Sequence, residues 1–385
     1  MNEWIDISVP YLFGKEKEYL LDCINSNFIS SVGPLISNFE NKISFHLGLD
    51  DGCTTATASG TSALHLALIV AGVKKDELVI MPDYTFIATA NAINHSGGIP
   101  WLMDIEKESL TIDTIKLNKI LKEETTILNN KCIHKVSGKR VAAIVPVFTL
   151  GHPPDLDRLK IISDKYHLPL ISDAAAGIGS KYKDKDIGKK SLITCFSFNG
   201  NKSITSGGGG ALCSFDKTIV EEAKHIASTA RVGPGYNHNK VGFNYRMTNI
   251  QAAIGLGQIE NINKIIQKKK YIAQKYKLAF KNNTNVISIP EAKWAKSAKW
   301  LSGFIIKKDS ELNPNKIIEY LNSKKIRVRE FWKPMHLQDP YKYSISNDIK
   351  FSKYIWQKII ILPSSTSITE DELSYVIKTT NEAIT

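Results

Sequence analysis

Three short stretches carry residues whose types and spacing can do chemistry. In Phe196-Ser197-Phe198-Asn199-Gly200-Asn201-Lys202-Ser203-Ile204-Thr205, one lysine stands among small and neutral residues, ahead of Ser206 and four glycines at 207–210. A lysine held between two strands in such surroundings loses its proton cheaply, because desolvation penalises the ammonium form, and a neutral amine can form an imine with an aldehyde. A surface lysine is the commoner role for any single Lys, so context decides. Upstream, Pro169-Leu170-Ile171-Ser172-Asp173-Ala174-Ala175-Ala176 is an apolar strand ending in one acid and then small residues. An ionised Asp173 there can pair with a protonated ring nitrogen, the contact that lets a pyridoxal ring act as an electron sink. Capping a following helix is the plainer alternative. Earlier still, Ala58-Ser59-Gly60-Thr61-Ser62-Ala63-Leu64 is a small-residue turn running into an apolar helix. The free amides of a helix start, with the hydroxyls of Thr61 and Ser62 beside them, suit a phosphate, although ordinary capping accounts for the turn equally well. The lysine segment is not a nucleotide P-loop, because Asn201 precedes Lys202 and the glycines follow it rather than lead.

The elements that position these residues read as a sheet with helices on both faces. From about 55 to 215, short apolar runs alternate with amphipathic segments. Strands are expected at 78–81, 99–104, 142–147, 168–172, 194–197 and 211–214, and helices at 63–70, 86–94 and 156–166, the last started by Asp155 after Pro153-Pro154. In an open parallel sheet ligands sit beyond the carboxyl ends of the strands, which is where Asp173 and Ser197 fall. A long helical stretch capped by Thr248 is expected to run on toward residue 278. Strand and helix then alternate through 286–289, 302–306, 315–322, 327–331 and 370–380, as in a small α+β unit. The expected organisation is a large cofactor-binding domain over 1–250, and a linking helix with a small C-terminal domain over 251–385.

Composition narrows the function classes. A chain of 385 residues exceeds what one small core requires, and 43% hydrophobic with 23% charged residues is ordinary for a globular protein. The longest apolar stretches, 63–73 (interrupted by His65) and 141–148, stop short of the roughly 18 residues that span a bilayer. The start, Met1-Asn2-Glu3-Trp4, carries an early acid and lacks a basic, apolar leader, so a cytoplasmic location is expected. Five cysteines form no Cys-x-x-Cys pair, and nine histidines form no metal-type spacing, so buried thiols and no metal are expected. The net charge of +12 is compatible with a small phosphorylated ligand. The run Lys268-Lys269-Lys270 lies in a helical pattern where solvated charge is the usual meaning, and no nucleic-acid reader motif accompanies it.

An early phosphate turn, a strand-end Asp, and a Lys 29 positions later in a Ser-x-x-x-x-Lys context form a specific constellation. In these motifs the sequence resembles the DegT/DnrJ/EryC1/StrS sugar aminotransferases, from Ser30-Ser31-Val32-Gly33 to Leu362-Pro363-Ser364-Ser365. The resemblance implies the type I aminotransferase fold, with a mostly parallel seven-stranded sheet, and pyridoxal 5'-phosphate as cofactor. Lys202 matches the lysine that holds the cofactor covalently, Asp173 the partner of its ring nitrogen, Ser197 a phosphate ligand, and Gly60, Thr61 and Ser62 the phosphate cradle. Phe86, which the residues alone read as core, falls where an aromatic ring stacks on the cofactor. Gly242-Phe243-Asn244-Tyr245-Arg246-Met247-Thr248-Asn249 matches a segment that reaches the neighbouring subunit's site, Asn244 touching phosphate, which implies a homodimer with shared active sites. Read without the resemblance, that stretch is a polar strand end before a helix.

Arg231, Tyr236, His238, Arg329, Trp332 and His336 fall where relatives contact substrate, with packing or surface roles as the plain alternative. One departure stands out: Ala176 occupies a position where many relatives carry Gln, Glu or His. The implied reaction is amino transfer, with L-glutamate as donor, to a keto sugar, C4 of a nucleotide-linked 4-keto-6-deoxyhexose being the best match; C3 and other keto sugars also occur among relatives. Related dehydratases commonly replace the lysine, so Lys202 weighs against dehydration. A sensor that binds cofactor without turnover is the reading from outside enzymology.

Overall fold

Why the strand-end residues converge follows from one large sheet. In the computed structural model, which describes residues 3–385, the strands lie in the order Ile99–Met103, Leu78–Pro82, Arg140–Ile144, Ile171–Asp173, Ile193–Ser197, Gly210–Cys213, Thr54–Thr57. The third and fourth are joined by the parallel bridges Ile144–Leu170 and Val147–Asp173. All run the same way except Gly210–Cys213, which is antiparallel to both neighbours, so the expected mostly parallel seven-stranded sheet is present. Ile345–Asn347 extends one edge, parallel to Ile99–Met103, and the hairpin of Thr125–Leu128 and Lys131–His134 pairs beside Arg140–Ile144.

Strand periodicity explains the two-faced core. Leu78 and Ile80 face one hydrophobic cluster with Phe39, Trp101 and Phe196, while Val79 and Met81 face another with Leu66, Leu102 and Leu212. The helix Gly60–Val70 is buried from Ala63 to Leu68, as its nearly unbroken apolar sequence requires. Leu156–Tyr166 begins where expected, with the Asp155 side chain accepting from the Arg158 amide. The five cysteines are free and buried.

The C-terminal part forms a four-stranded antiparallel sheet in the order Val286–Ser288, Ser302–Ile306, Ile359–Leu362, Arg329–Glu330, with helices Pro314–Ser323 and Glu370–Ile384. Its core gathers Tyr276, Phe304, Leu321 and Val376, and Ile5 joins it through a bridge to Ile326. No helix among the described residues is long and apolar enough to cross a membrane.

Two expectations need correction. The single helix expected after Thr248 is two, Asn249–Glu260 and Ile262–Ala279. Asn261 separates them, its side-chain amide donating to the Gly257 carbonyl at 3.0 Å and so competing with the backbone ladder. The start itself is as expected, a capping box between Thr248 and Gln251. The lysine run is not uniformly solvated: Lys269 is buried at 2% exposure, its amine donating to the Trp300 and Ser364 carbonyls at 3.0 and 2.6 Å. Ile262, Ile265, Ile266, Ile272 and Tyr276 lie on the buried side of the same helix, and helical spacing puts Lys269 in that stripe.

Candidate active site

The strand ends open into a cavity of about 510 Å³. Its wall holds Gly60, Thr61, Phe86, Asp173, Ser197 and Lys202 from the large sheet and its connections, with Trp300, Arg329 and Trp332 from the C-terminal part. Residues far apart in the chain thus meet at the carboxyl edge of the parallel strands, where such folds place ligands.

Asp173 ends the strand Ile171–Asp173 and is 8% exposed. No helix starts behind it: its Oδ1 accepts from the Ala175 amide at 3.1 Å, which closes a turn. The Thr89 hydroxyl donates to Oδ2 at 2.7 Å and is itself paired with the Thr85 hydroxyl at 2.9 Å. Burial pushes the Asp173 carboxyl up from its ordinary value, and the Thr89 and Ala175 hydrogen bonds with the charge of Lys202 pull against that. Among the described residues no cation stands within ion-pair distance of Asp173. A protonated ring nitrogen placed against it would supply the missing charge.

Lys202 follows a turn in which its own amide donates to the Asn199 carbonyl at 2.9 Å. Desolvation lowers the amine from 10.5 to about 8, with Asp173 opposing, so a useful fraction is neutral near physiological pH. Its Nζ lies over the Trp300 ring, 4.1 Å from the centroid, while Trp300 Nε1 donates to the Asn201 carbonyl at 2.6 Å. The indole therefore touches both the reactive amine and the turn that carries it.

The glycines behind the lysine have a steric reason. Gly209 sits at φ +129°, which an L side chain rarely adopts. At Gly210 a Cβ would lie 2.5 Å from the Ser59 carbonyl oxygen and 2.6 Å from the Gly60 nitrogen, so only glycine lets this strand press against the start of helix Gly60–Val70. Ser59 caps that helix, accepting from the Ser62 amide at 3.0 Å, and the Ser62 hydroxyl is paired with it at 2.8 Å. Ser197 stands alongside, its Cβ 2.7 Å from where a Gly60 side chain would begin. Gly60, Thr61 and Ser197 line the cavity and Ser62 stands one step behind them. A helix start with hydroxyls beside it is a fitting phosphate cradle.

The residues present therefore fit pyridoxal phosphate at both ends, with a partly deprotonated amine between. Phe86 is 56% exposed and faces the cavity rather than the core, its ring 6.4 Å from that of Trp332. His336 does not line the cavity: its Nδ1 is 2.7 Å from Asp83 Oδ2, and its amide donates to Asp83 Oδ1 at 2.8 Å. Asn244 lies on the exposed surface, away from this chain's own cavity. So does the short hairpin Arg231–Val232 with Asn237–His238, in which the Arg231 guanidinium covers the Tyr236 ring and donates to the Pro234 and Gly235 carbonyls. Ala176 is buried and borders a small extension of about 40 Å³ shared with Thr89, Asp173, Lys202 and Trp332.

Thr89 and Trp300 were not among the expected site residues. Thr89 lies in the first turn of helix Ala88–His95, and no spacing in the sequence marks its meeting with Asp173. Nothing local to 300 marks the second.

The DegT/DnrJ/EryC1/StrS aminotransferase family model matches residues 11–381. EpsN of Bacillus subtilis (strain 168), whose name marks it provisionally as a pyridoxal phosphate-dependent aminotransferase, is 34% identical over 98% of this chain and 95% of its own length. GDP-perosamine synthase of Escherichia coli O157:H7 is 33% identical over 99% of this chain and 98% of its own. Among solved structures, Helicobacter pylori PseC, an aminotransferase involved in pseudoaminic acid biosynthesis, superposes with a TM-score of 0.87 at 24% identity, covering 99% of both chains, which establishes the shared fold.

Proposed function

From the premise that the chain belongs to the DegT/DnrJ/EryC1/StrS aminotransferase family, which depends on pyridoxal phosphate, we propose that it transfers an amino group from L-glutamate to a nucleotide-linked keto sugar. The C4 ketone of a 4-keto-6-deoxyhexose is the acceptor, and the product feeds surface-glycan assembly in the cytoplasm. The observation that carries this reading is the meeting of Lys202, Asp173 and the Gly60–Thr61–Ser197 cradle in one cavity, in a chain matched along its length by a GDP-perosamine synthase.

When bound, the cofactor supplies an aldehyde for the amine and a ring that accepts electrons. Lys202 would hold the cofactor through its amine and, when free, would move a proton at the substrate carbon as base and acid. Its amine, lowered to about 8 by desolvation, suits both tasks near neutral pH. Asp173, held by Thr89 and the Ala175 amide, keeps the ring nitrogen protonated. The start of helix Gly60–Val70, with Thr61 and Ser197, binds the phosphate. Phe86 would cover the ring face, and Arg329 and Trp332, which line the same cavity, would meet the substrate from the C-terminal side.

Two copies share their sites in this reading. The residues between 9 and 32 expose Tyr11, Leu12, Phe13, Leu21, Ile24 and Phe28, a run of apolar surface suited to a second copy. Asn244, Arg231, Tyr236 and His238 would act in the partner's cavity, and His336 positions Asp83 at the small-domain joint. Incubation of the cofactor-loaded protein with L-glutamate and a panel of nucleotide-linked keto sugars, read by mass spectrometry, tests the reading. An amino sugar from a 4-keto-6-deoxyhexose is expected; no aminated product from any nucleotide-linked ketone would overturn it.

A further inference from the structure

A second cavity of about 510 Å³ lies apart from the one just described. One wall is a single face of helix Ile262–Ala279, where Lys270, Ala273, Gln274 and Lys277 follow helical spacing. The segment carrying Glu291, Lys296 and Lys299 forms another wall, and Thr149–Gly151 with Ser302 lies opposite. Both sides of the joint between the large sheet and the C-terminal part thus contribute.

Its charge is lopsided. Four lysines line it against one carboxylate, Glu291, which is engaged by Lys299 at 2.8 Å. Lys296 pairs with Asp184 at the rim. Lys270 and Lys277 have no carboxylate within ion-pair distance among the described residues. Burial, and then the charges of Lys296, Lys299 and Lys181, hold the Lys270 amine below its ordinary value, while Glu291 alone opposes. His152 adds no charge, since burial lowers it to about 4; its Nδ1 is paired with the Pro153 carbonyl and its Nε2 accepts from the Ala292 amide. Like charges crowded in a concave site raise the local potential toward anions.

Thr149 and Ser302, at 1% and 6% exposure, each carry a hydroxyl with no hydrogen-bond partner, and both residues line this cavity. Both oxygens are shielded from solvent, so they belong to the packing of the wall rather than to the surface a ligand would touch. Lysine ammonium groups bind phosphate oxygens as point charges, and four of them line the cleft. We infer that this cleft is a binding site for a phosphorylated small molecule, distinct from the cofactor cavity. The volume is of the size that holds a nucleotide or sugar phosphate.

The site is connected to the chemistry. The Ala298 amide donates to the Gly151 carbonyl at 3.0 Å and the Trp300 amide to the Leu150 carbonyl at 3.2 Å, so the segment bordering the cleft, between strands Ala295–Lys296 and Ser302–Ile306, is the one whose Trp300 ring lies over Lys202.

Calorimetric titration of the cofactor-loaded protein with pyrophosphate tests this, since the cofactor then fills its own phosphate cradle. Saturable binding is expected that weakens about tenfold or more in Lys270→Ala/Lys277→Ala, weakens with added salt, and survives Arg329→Ala. Both lysines are exposed on a helix where alanine is well tolerated, so the double variant folds and keeps its activity without pyrophosphate. Absence of binding, or binding unchanged in the lysine variant and abolished by Arg329→Ala, overturns the inference. Sugar amination measured without pyrophosphate reports on the proposed reaction separately.

Discussion

Replacing Thr89 with valine keeps the shape of the side chain and removes the O–H that donates to Asp173 Oδ2 at 2.7 Å. A hydrogen bond to an ionised acceptor is worth about 1.5–3 kcal/mol, and about 1.4 kcal/mol corresponds to one pKa unit. Burial already raises the Asp173 carboxyl, and losing the Thr89 hydrogen bond, which pulls the other way, lifts it further. The protonated acid cannot hold a proton on a ring nitrogen. The expected result is a fall of about ten- to a hundredfold in kcat/KM for the glutamate half-reaction, followed through the visible absorbance of the cofactor. Because the variant's carboxyl titrates higher, the deficit is largest at low pH and shrinks as pH rises through the new value. Thr85→Val touches Thr89 but not the carboxylate, and serves as the milder control. A Thr89→Val protein with kcat/KM within about twofold of the parent and an unmoved pH profile would refute the reasoning.

Trp300→Leu removes the indole beneath Lys202 and its bond to Asn201; loss of a cation–π contact worth about 0.5–2 kcal/mol moves the amine further below about 8, read from the pH dependence of cofactor attachment. Lys269 is lowered from 10.5 to about 7 by burial, so between those values the unfolded chain binds the extra proton and stability rises with pH. Lys269→Met should flatten the pH dependence of denaturant midpoints across that window by at most about 1.4 kcal/mol per pH unit, and an unchanged slope contradicts this. Ala176→Gln fills the small extension beside Asp173; KM for the sugar should change several-fold, with cofactor affinity unaltered by titration.

The chemistry was legible where it is local in the chain. Asp173 ends an apolar run and Lys202 follows a strand, which singled both out while leaving capping and surface roles open, and the role of Ser197 came from the family resemblance. Thr89 and Trp300 escaped because they reach their partners across 84 and 99 residues, and no spacing rule encodes such a meeting. Phe86 read as core because its neighbours are apolar, yet the helix begins only at Ala88 and leaves the ring facing the cavity. Lys269 was hidden differently: composition pointed to a charged run, whereas the helical period of the isoleucines around it already assigned it to the buried stripe. The break at Asn261 turns on one side-chain amide choosing a backbone carbonyl, which propensity does not resolve.

Borohydride reduction of the protein incubated with pyridoxal phosphate, followed by peptide mass mapping, addresses the central assignment directly. The reduced cofactor is expected on Lys202, and treatment with L-glutamate before reduction should abolish the label. Lys269 is the other buried amine lowered to near neutrality, but it is spent on two carbonyls. A label on Lys269 or any other lysine, or a label on Lys202 that glutamate leaves intact, would contradict the account.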